Sequence, residues 1–253
     1  MRGCMKELAN MLLLITFCVL IIYGMRRALK RGKQGLKNLP QLAAIEEAIG
    51  RATELGRPVH FTIGYDEIMT YNIPGFSMLP YIADLCNKTG AHLIVTTPQS
   101  TVLAIFDDIL DQVNKAYGKS SNEKDLRFLA GGTSAYTIAA QGLLLREKPA
   151  ANFLMGLQKV EVLIHCETGQ RIGAMQVGGG TGAGNLPFMA AICDYTLIGE
   201  EFLAAGAMVS NDVGRLGAIT GQDWIKAVIL ALIIGGGIIV QFGSTYLVSL
   251  LKM

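Results

Sequence analysis

The sequence predicts a layered α/β domain with a largely parallel sheet, flanked by an N-terminal and a C-terminal transmembrane helix. Three observations carry this. Short apolar runs of strand length alternate with helical stretches between Pro40 and Val209, glycine or proline marks many of the boundaries, and two long runs near the ends carry no charge. Strands that alternate with helices build parallel sheets with helical crossovers. The uncharged runs, Leu8 to Met25 and Ala227 to Leu251, span 18 and 25 residues, against about 20 for a helix that crosses a bilayer. The expected organisation is an anchor over 1–25, a basic linker over 26–39, an α/β domain over 40–223 and a second membrane helix over 224–253.

Each element has its own local reason. Leu42, Ile45, Ile49, Ala52 and Leu55 recur at helical spacing, and Gly56 and Pro58 stop that helix. Pro58 to Gly64 reads as a strand, Met78 to Lys88 as a helix stopped by Gly90, and Ala91 to Thr97 as a second strand. Ser100 is placed to cap a helix through Tyr117 that carries Val102, Phe106 and Leu110 on one side and Asp107, Asp108 and Asp111 on the other. Gly118 to Asp125 reads as a loop, Leu126 to Leu129 as a strand, and Ser134 to Leu145 as a helix. Lys159 to Cys166 and Ile172 to Val177 read as strands. A glycine run follows, then a helix over Leu186 to Cys193, a strand over Tyr195 to Ile198 and a helix over Glu200 to Val209.

Composition narrows the function classes. Hydrophobic residues make up 51% of the 253 and charged residues 17%, below the roughly 25% of an average soluble domain. That excludes an ordinary soluble enzyme. The stretch from Asn38 to Asp223 holds no third apolar run of membrane length, which excludes a polytopic transporter. Arg26, Arg27, Lys30, Arg31, Lys33 and Lys37 follow the first run, so the positive-inside rule puts the amino terminus outside and the central domain in the cytoplasm of a multi-pass cell-membrane protein. Met25-Arg26-Arg27 offers no signal-peptidase site. Arg26, Arg27, Lys30 and Arg31 are also expected at lipid headgroups, with Trp224 as an interfacial anchor at the second run. Ala227, Ala231 and Gly235 form a small-residue stripe suited to helix packing. Residues 38–223 carry 12 basic and 19 acidic side chains, so nucleic acid is not an expected partner.

Chemistry is sparse. Cys4, Cys18, Cys86, Cys166 and Cys193 lack CxxC spacing, which argues against a zinc site or disulfide framework and for buried thiols. His60, His92 and His165 each fall in an apolar run read as a strand, and none has a metal-ligand pattern. Asp107/Asp108 and Glu200/Glu201 are sequence neighbours that diverge on their helices, and neither Ser77 nor Ser134 sits in a nucleophile elbow. No catalytic set assembles and no cofactor is implied. The sharpest motif is Gly178, Gly179, Gly180, Thr181, Gly182, Gly184 and Asn185, between an apolar strand and a helix, where backbone N–H groups can cradle a phosphate. Its heptapeptide, Gly178 to Gly184, resembles the phosphate loop of tubulin and its bacterial cell-division relatives, over those residues alone.

Several blocks together resemble an uncharacterised family of bacterial and archaeal integral membrane proteins that carry a domain of unknown function. They are Ala44 to Val59, Leu145 to Ala150, Glu167 to Gly169, Leu186 to Phe188, Cys193 to Glu201 and Gly221 to Asp223. The resemblance implies a membrane-tethered domain and no activity. The expected function is a non-enzymatic scaffold whose α/β domain associates with copies of itself or with a cytoplasmic protein partner. The alternative is a tethered phosphate- or nucleotide-binding domain using residues 178–185.

Overall fold

Six strands, β1 (Val59–Thr62), β2 (Leu93–Thr97), β3 (Asp125–Phe128), β4 (Ala151–Met155), β5 (Met175–Gly180) and β6 (Tyr195–Ile198), form one sheet in a computed structural model of the chain. Every pairing is parallel and the order is β3-β2-β1-β4-β5-β6. The structure describes residues 40–64, 72–120, 124–156, 162–184 and 186–210, with isolated helical positions between 11 and 26 and between 214 and 235. Residues Asn38–Ser210 make up one compact unit, and Met1–Lys37 with Asn211–Met253 make up another. Among the described residues no helix is long and apolar enough to cross a membrane. Most of both apolar runs, Ala231 among them, lies outside those residues, as do Arg27, Lys30, Arg31 and Trp224. Arg26 and Ala227 are described as exposed helical positions and Gly235 as a half-buried one.

Helices cover both faces of the sheet. Strand side chains alternate between faces, and the odd-numbered positions Val59, Phe61, Val95, Phe153, Met155 and Val177 join one large apolar core. Its other half comes from α1 (Pro40–Leu55), α2 (Ile73–Thr89), α3 (Ser100–Ala116) and α7 (Glu200–Val209). The opposite face is covered by α4 (Thr133–Glu147), α5 (Val162–Arg171) and α6 (Leu186–Ile192), where Leu154, Val162, Cys166 and Met189 make a smaller apolar cluster.

Helix α1 buries Ala44, Ile45, Ala48, Ile49 and Ala52, while Leu55 is exposed at its end. Gly56, at φ +60°, ends it, and Gly90, at φ +76°, ends α2. Helix α2 begins earlier than its apolar spacing suggests, because Pro74 sits in the first turn, where a missing N–H costs nothing. Ser100 is the first residue of α3 and not its cap; Gln99 holds that position without a side-chain cap bond.

Two strand assignments in the middle of the chain are corrected. Residues 162–166 belong to helix α5, so His165 is helical, and the strand beside β1 is Ala151–Met155. β-branched residues in Val160 to Ile164 suggest a strand, but β propensity is weak next to packing. Val162, His165, Cys166 and Gly169 fall at three- and four-residue spacing and are the buried stripe of α5. Strand β5 is shifted forward, from the expected Ile172–Val177 to Met175–Gly180, so the glycine run begins inside it. His92 precedes β2, and it lies 3.4 Å from Asp125.

At the amino end of the sheet Arg57 ties three segments together. Its Nε donates to the Lys148 carbonyl at 2.7 Å, and its Nη2 donates to the Pro149 and Ile172 carbonyls at 3.0 and 2.9 Å. Lys148 and Ile172 follow the carboxyl ends of α4 and α5, where a cation is favoured. Replacing Arg57 with alanine is expected to cost about 2 kcal/mol, because charge-assisted bonds are lost at a site that water can partly resolvate. R57K is expected to recover part of that cost in urea denaturation, and equal midpoints for wild type and R57A would contradict the role.

Candidate site at the sheet switch point

The face under α4 and α5 carries polar side chains where the other face is apolar. His60, Asn152 and Gln176 stand level on neighbouring strands β1, β4 and β5, and Thr62 is level with Thr96 on β2. All five are buried. Burying such groups is tolerable only if each finds a partner, and here they find one another. The Gly64 N–H donates to Thr62 Oγ1 at 3.1 Å, and Tyr136 of α4 places its hydroxyl 2.7 Å from Thr62 Oγ1 and 3.1 Å from Thr96 Oγ1. His60 is bonded through Nε2 to Thr96 Oγ1 at 2.9 Å and through Nδ1 to Asn152 Oδ1 at 2.7 Å. Asn152 Nδ2 reaches Gln176 Oε1 at 3.5 Å, and Gln176 Nε2 donates to the Cys166 carbonyl at 2.9 Å.

One assignment of protons satisfies every link. Thr62 donates to Tyr136, Tyr136 to Thr96, Thr96 to His60, and His60 to Asn152, so all donors point from the end of β1 towards α5. It requires a neutral imidazole, since an imidazolium has no lone pair to accept from Thr96. Burial is the main force holding the His60 pKa down to about 4; the Asn152 bond opposes it and the charge of Arg127 adds to it. Burial also raises the Tyr136 phenol, against the pull of its bonds to Thr62 and Thr96.

His165 stands apart from this chain. Its ring meets the Tyr136 ring edge-on, with centroids 5.7 Å apart, yet among the described residues neither ring nitrogen has a hydrogen-bond partner. Burial and, behind it, the nearby His60 push its pKa down to about 4; the Thr137 backbone pulls the other way but falls short of hydrogen-bond geometry. Leaving both nitrogens unpaired costs about 1–3 kcal/mol. H165L is therefore expected to raise the unfolding midpoint, and a lower midpoint would show that the ring is paired in solution.

These groups lie near the reversal of strand order. Crossovers from β1 and β2 pass over one face and those from β3, β4 and β5 over the other, so the chain leaves β1 and β4 in opposite directions. In doubly wound sheets the crevice at the carboxyl ends of two such strands receives ligands. Here β1 is followed by Gly64 at φ +86° and β4 by Gly156 at φ +116°. A side chain on Gly156 would also strike the Ile63 carbonyl. Segments 65–71 and 157–161 lie outside the described residues.

The structure places the glycine motif differently from a loop. Gly178, Gly179 and Gly180 are strand residues and buried. A Cβ at Gly178 would lie 3.1 Å from Cys193 Sγ, and one at Gly179 would lie 2.7 Å from two ring carbons of Phe202 and 2.9 Å from Met155 Sδ. These two glycines admit helices to the two faces of the sheet. Thr181 and Gly182 follow the strand half-buried, and Gly184 is exposed. None of these glycines adopts a left-handed φ. Asn185 lies outside the described residues.

A cleft of about 210 Å³ opens at the opposite, amino end of β2 and β3, beside Asn87, His92, Asn114 and Lys119. Its amides bond to each other at 3.0 Å, and Lys119 Nζ donates to Asn87 Oδ1 at 2.8 Å. Among the described residues no three His, Cys, Asp or Glu side chains converge as a metal site.

The model of one protein family matches residues 4–251, nearly the whole chain. The chain belongs to the DUF6754 family. That family is defined as a domain of unknown function. Neither the curated proteins nor the solved structures contain a match. The buried polar face was open to sequence reasoning in part: His60, Thr62, Thr96, Asn152 and Gln176 interrupt apolar strands at positions of one parity within each strand. Tyr136 carries no such signal, because it enters from a helix on a different segment.

Proposed function

We propose that the α/β domain binds a nucleotide or another phosphorylated metabolite at the carboxyl ends of β1 and β4, and that the apolar runs tether it to a membrane. The observation that carries the reading is the reversal of strand order between β1 and β4. Tyr136 and Thr62 meet at that end of β1, and Thr181 and Gly182 follow β5, the strand next to β4. Two uncharged runs and the basic residues after the first support the tether and a cytoplasmic domain. Full-length protein in detergent, titrated calorimetrically with nucleotides, dinucleotides and sugar phosphates, is expected to bind one class, and Y136F is expected to weaken it. Silence across all three at millimolar concentration would end the ligand reading. Release of the chain from membranes by alkaline carbonate would end the tether.

A second reading, a scaffold that self-associates, is favoured by the outer face of α4. Ala135, Ile138, Gly142 and Leu145 lie in line there, with Ile138 69% and Leu145 48% exposed. Light scattering in detergent tests it: an oligomer dissociated by I138E with L145E supports self-association, and a monomer at all concentrations refutes it.

A further inference from the structure

Cys166 and Cys193 are 27 positions apart in the chain, and their sulfurs lie 3.7 Å apart. Both are free thiols, Cys166 buried inside α5 and Cys193 half-buried just after α6. The approach has a visible cause in the sheet beneath. Gly178 lacks the Cβ that would press on the Cys193 sulfur from 3.1 Å, and Cys166 and Met189 belong to one apolar cluster beside it. The Cys193 N–H donates to the Met189 carbonyl at 2.8 Å, which fixes the residue at the end of its helix. Asp194, next in sequence, accepts from the Gln176 N–H at 2.7 Å and holds the segment against β5. Two thiols from separate elements are thus in van der Waals contact, with a gap of 3.7 Å to close to the roughly 2 Å of a disulfide.

We propose that Cys166 and Cys193 are a modification site, forming a reversible intramolecular disulfide when a hydroperoxide reaches Cys193, the less buried of the two. Cys193 attacks first: an S–O bond forms, the O–O bond breaks, and the departing oxygen takes up a proton as water or an alcohol. The Cys193 sulfenic acid is then attacked by Cys166; the S–S bond forms, the S–O bond breaks, and hydroxide leaves with the Cys166 proton as water. Two electrons pass from the thiols to the peroxide, and a dithiol reductant returns them. The contact with Cys166, burial and the Asp194 carboxylate all disfavour the Cys193 thiolate, so the first step is slow next to that of a dedicated peroxide sensor. The product joins α5 to the junction of α6 and β6, one residue from His165.

The test uses the full chain in detergent, reduced and then treated with hydrogen peroxide, with non-reducing peptide mapping and a thermal melt. A peptide linking Cys166 to Cys193, lighter by two hydrogens, is expected, with a midpoint several degrees higher that returns on adding dithiothreitol. C86S is expected to cross-link as wild type does. C193S is expected to give no cross-link to Cys166, and if that variant fails to fold, maleimide labelling of the oxidised and reduced wild type reads the same pair. Peroxide that takes Cys193 to the sulfinic acid without a cross-link would overturn the proposal. So would links from either residue to Cys4, Cys18 or Cys86, or two thiols that stay free.

Discussion

Denaturation of the full chain in urea is expected to show a stability that holds above about pH 6.5 and falls steadily towards pH 4. His60 and His165 are the cause. Each has its folded pKa depressed from 6.5 to about 4 by burial, so below 6.5 the unfolded chain takes up protons that the fold refuses. A depressed imidazole therefore contributes its full stability at high pH and loses it as pH falls. The loss per histidine approaches about 3 kcal/mol at the acid end, a large share of the 5–15 kcal/mol that a domain typically has. Protonation of His60 has a second consequence, since Nε2 then becomes a donor to Thr96 and the Thr96 and Tyr136 hydroxyls must reverse the direction of their bonds. H165L is expected to remove about half of the slope and H60Q much of the rest, with H60Q less stable than wild type at pH 8. A stability independent of pH between 7 and 4.5 would mean that both rings already exchange protons with solvent. The carboxylates of Asp84 and Glu147, held below their usual range mainly by bonds from Lys88 and Arg127, add their own loss further down the pH scale.

Substitution of Gly179 by alanine is the second large effect expected. The added methyl would stand 2.7 Å from ring carbons of Phe202 and 2.9 Å from Met155 Sδ, inside the main core, where overpacking costs about 1–3 kcal/mol. G179V is expected to exceed that and to lower expression of folded protein. G184A, where a Cβ meets nothing within 4 Å, is the matched control and should melt as wild type does. The contrast separates two uses of one motif. Glycines kept for packing show their cost without any ligand, whereas glycines kept for a phosphate show it only in binding. Equal melting of G179A and wild type would mean that α7 does not press on β5 as described.

Sequence reasoning reached the layered α/β class, the alternation of elements, and the bounds of the Tyr195–Ile198 strand and the Glu200–Val209 helix, because local periodicity sets these. It missed β4 and placed a strand over α5. There the deciding fact is not local: Ala151–Met155 pairs with both β1 and β5, and a five-residue segment containing Asn152 has no periodicity to announce it. The strand order that locates the candidate site is likewise unreadable from any one segment. The family-like blocks find a physical account in part. Arg57, in the first, bonds Lys148 and Pro149 in the second. Gly169, which closes the third, lies where a Cβ would collide with the Gln176 amide.

The two faces of the sheet carry different kinds of information. On the apolar face Val59, Phe61, Phe153 and Val177 could exchange neighbours at modest cost, because dispersion contacts have little direction. On the other face each link from Thr62 to Gln176 has one donor and one acceptor. Sliding β4 by one position would send Asn152 to the opposite face and strand both His60 Nδ1 and Gln176. The polar face thus works as a key to the alignment of β2, β1, β4 and β5. Its yield is discrimination among alternative pairings of parallel strands, and its cost is the acid sensitivity expected of His60.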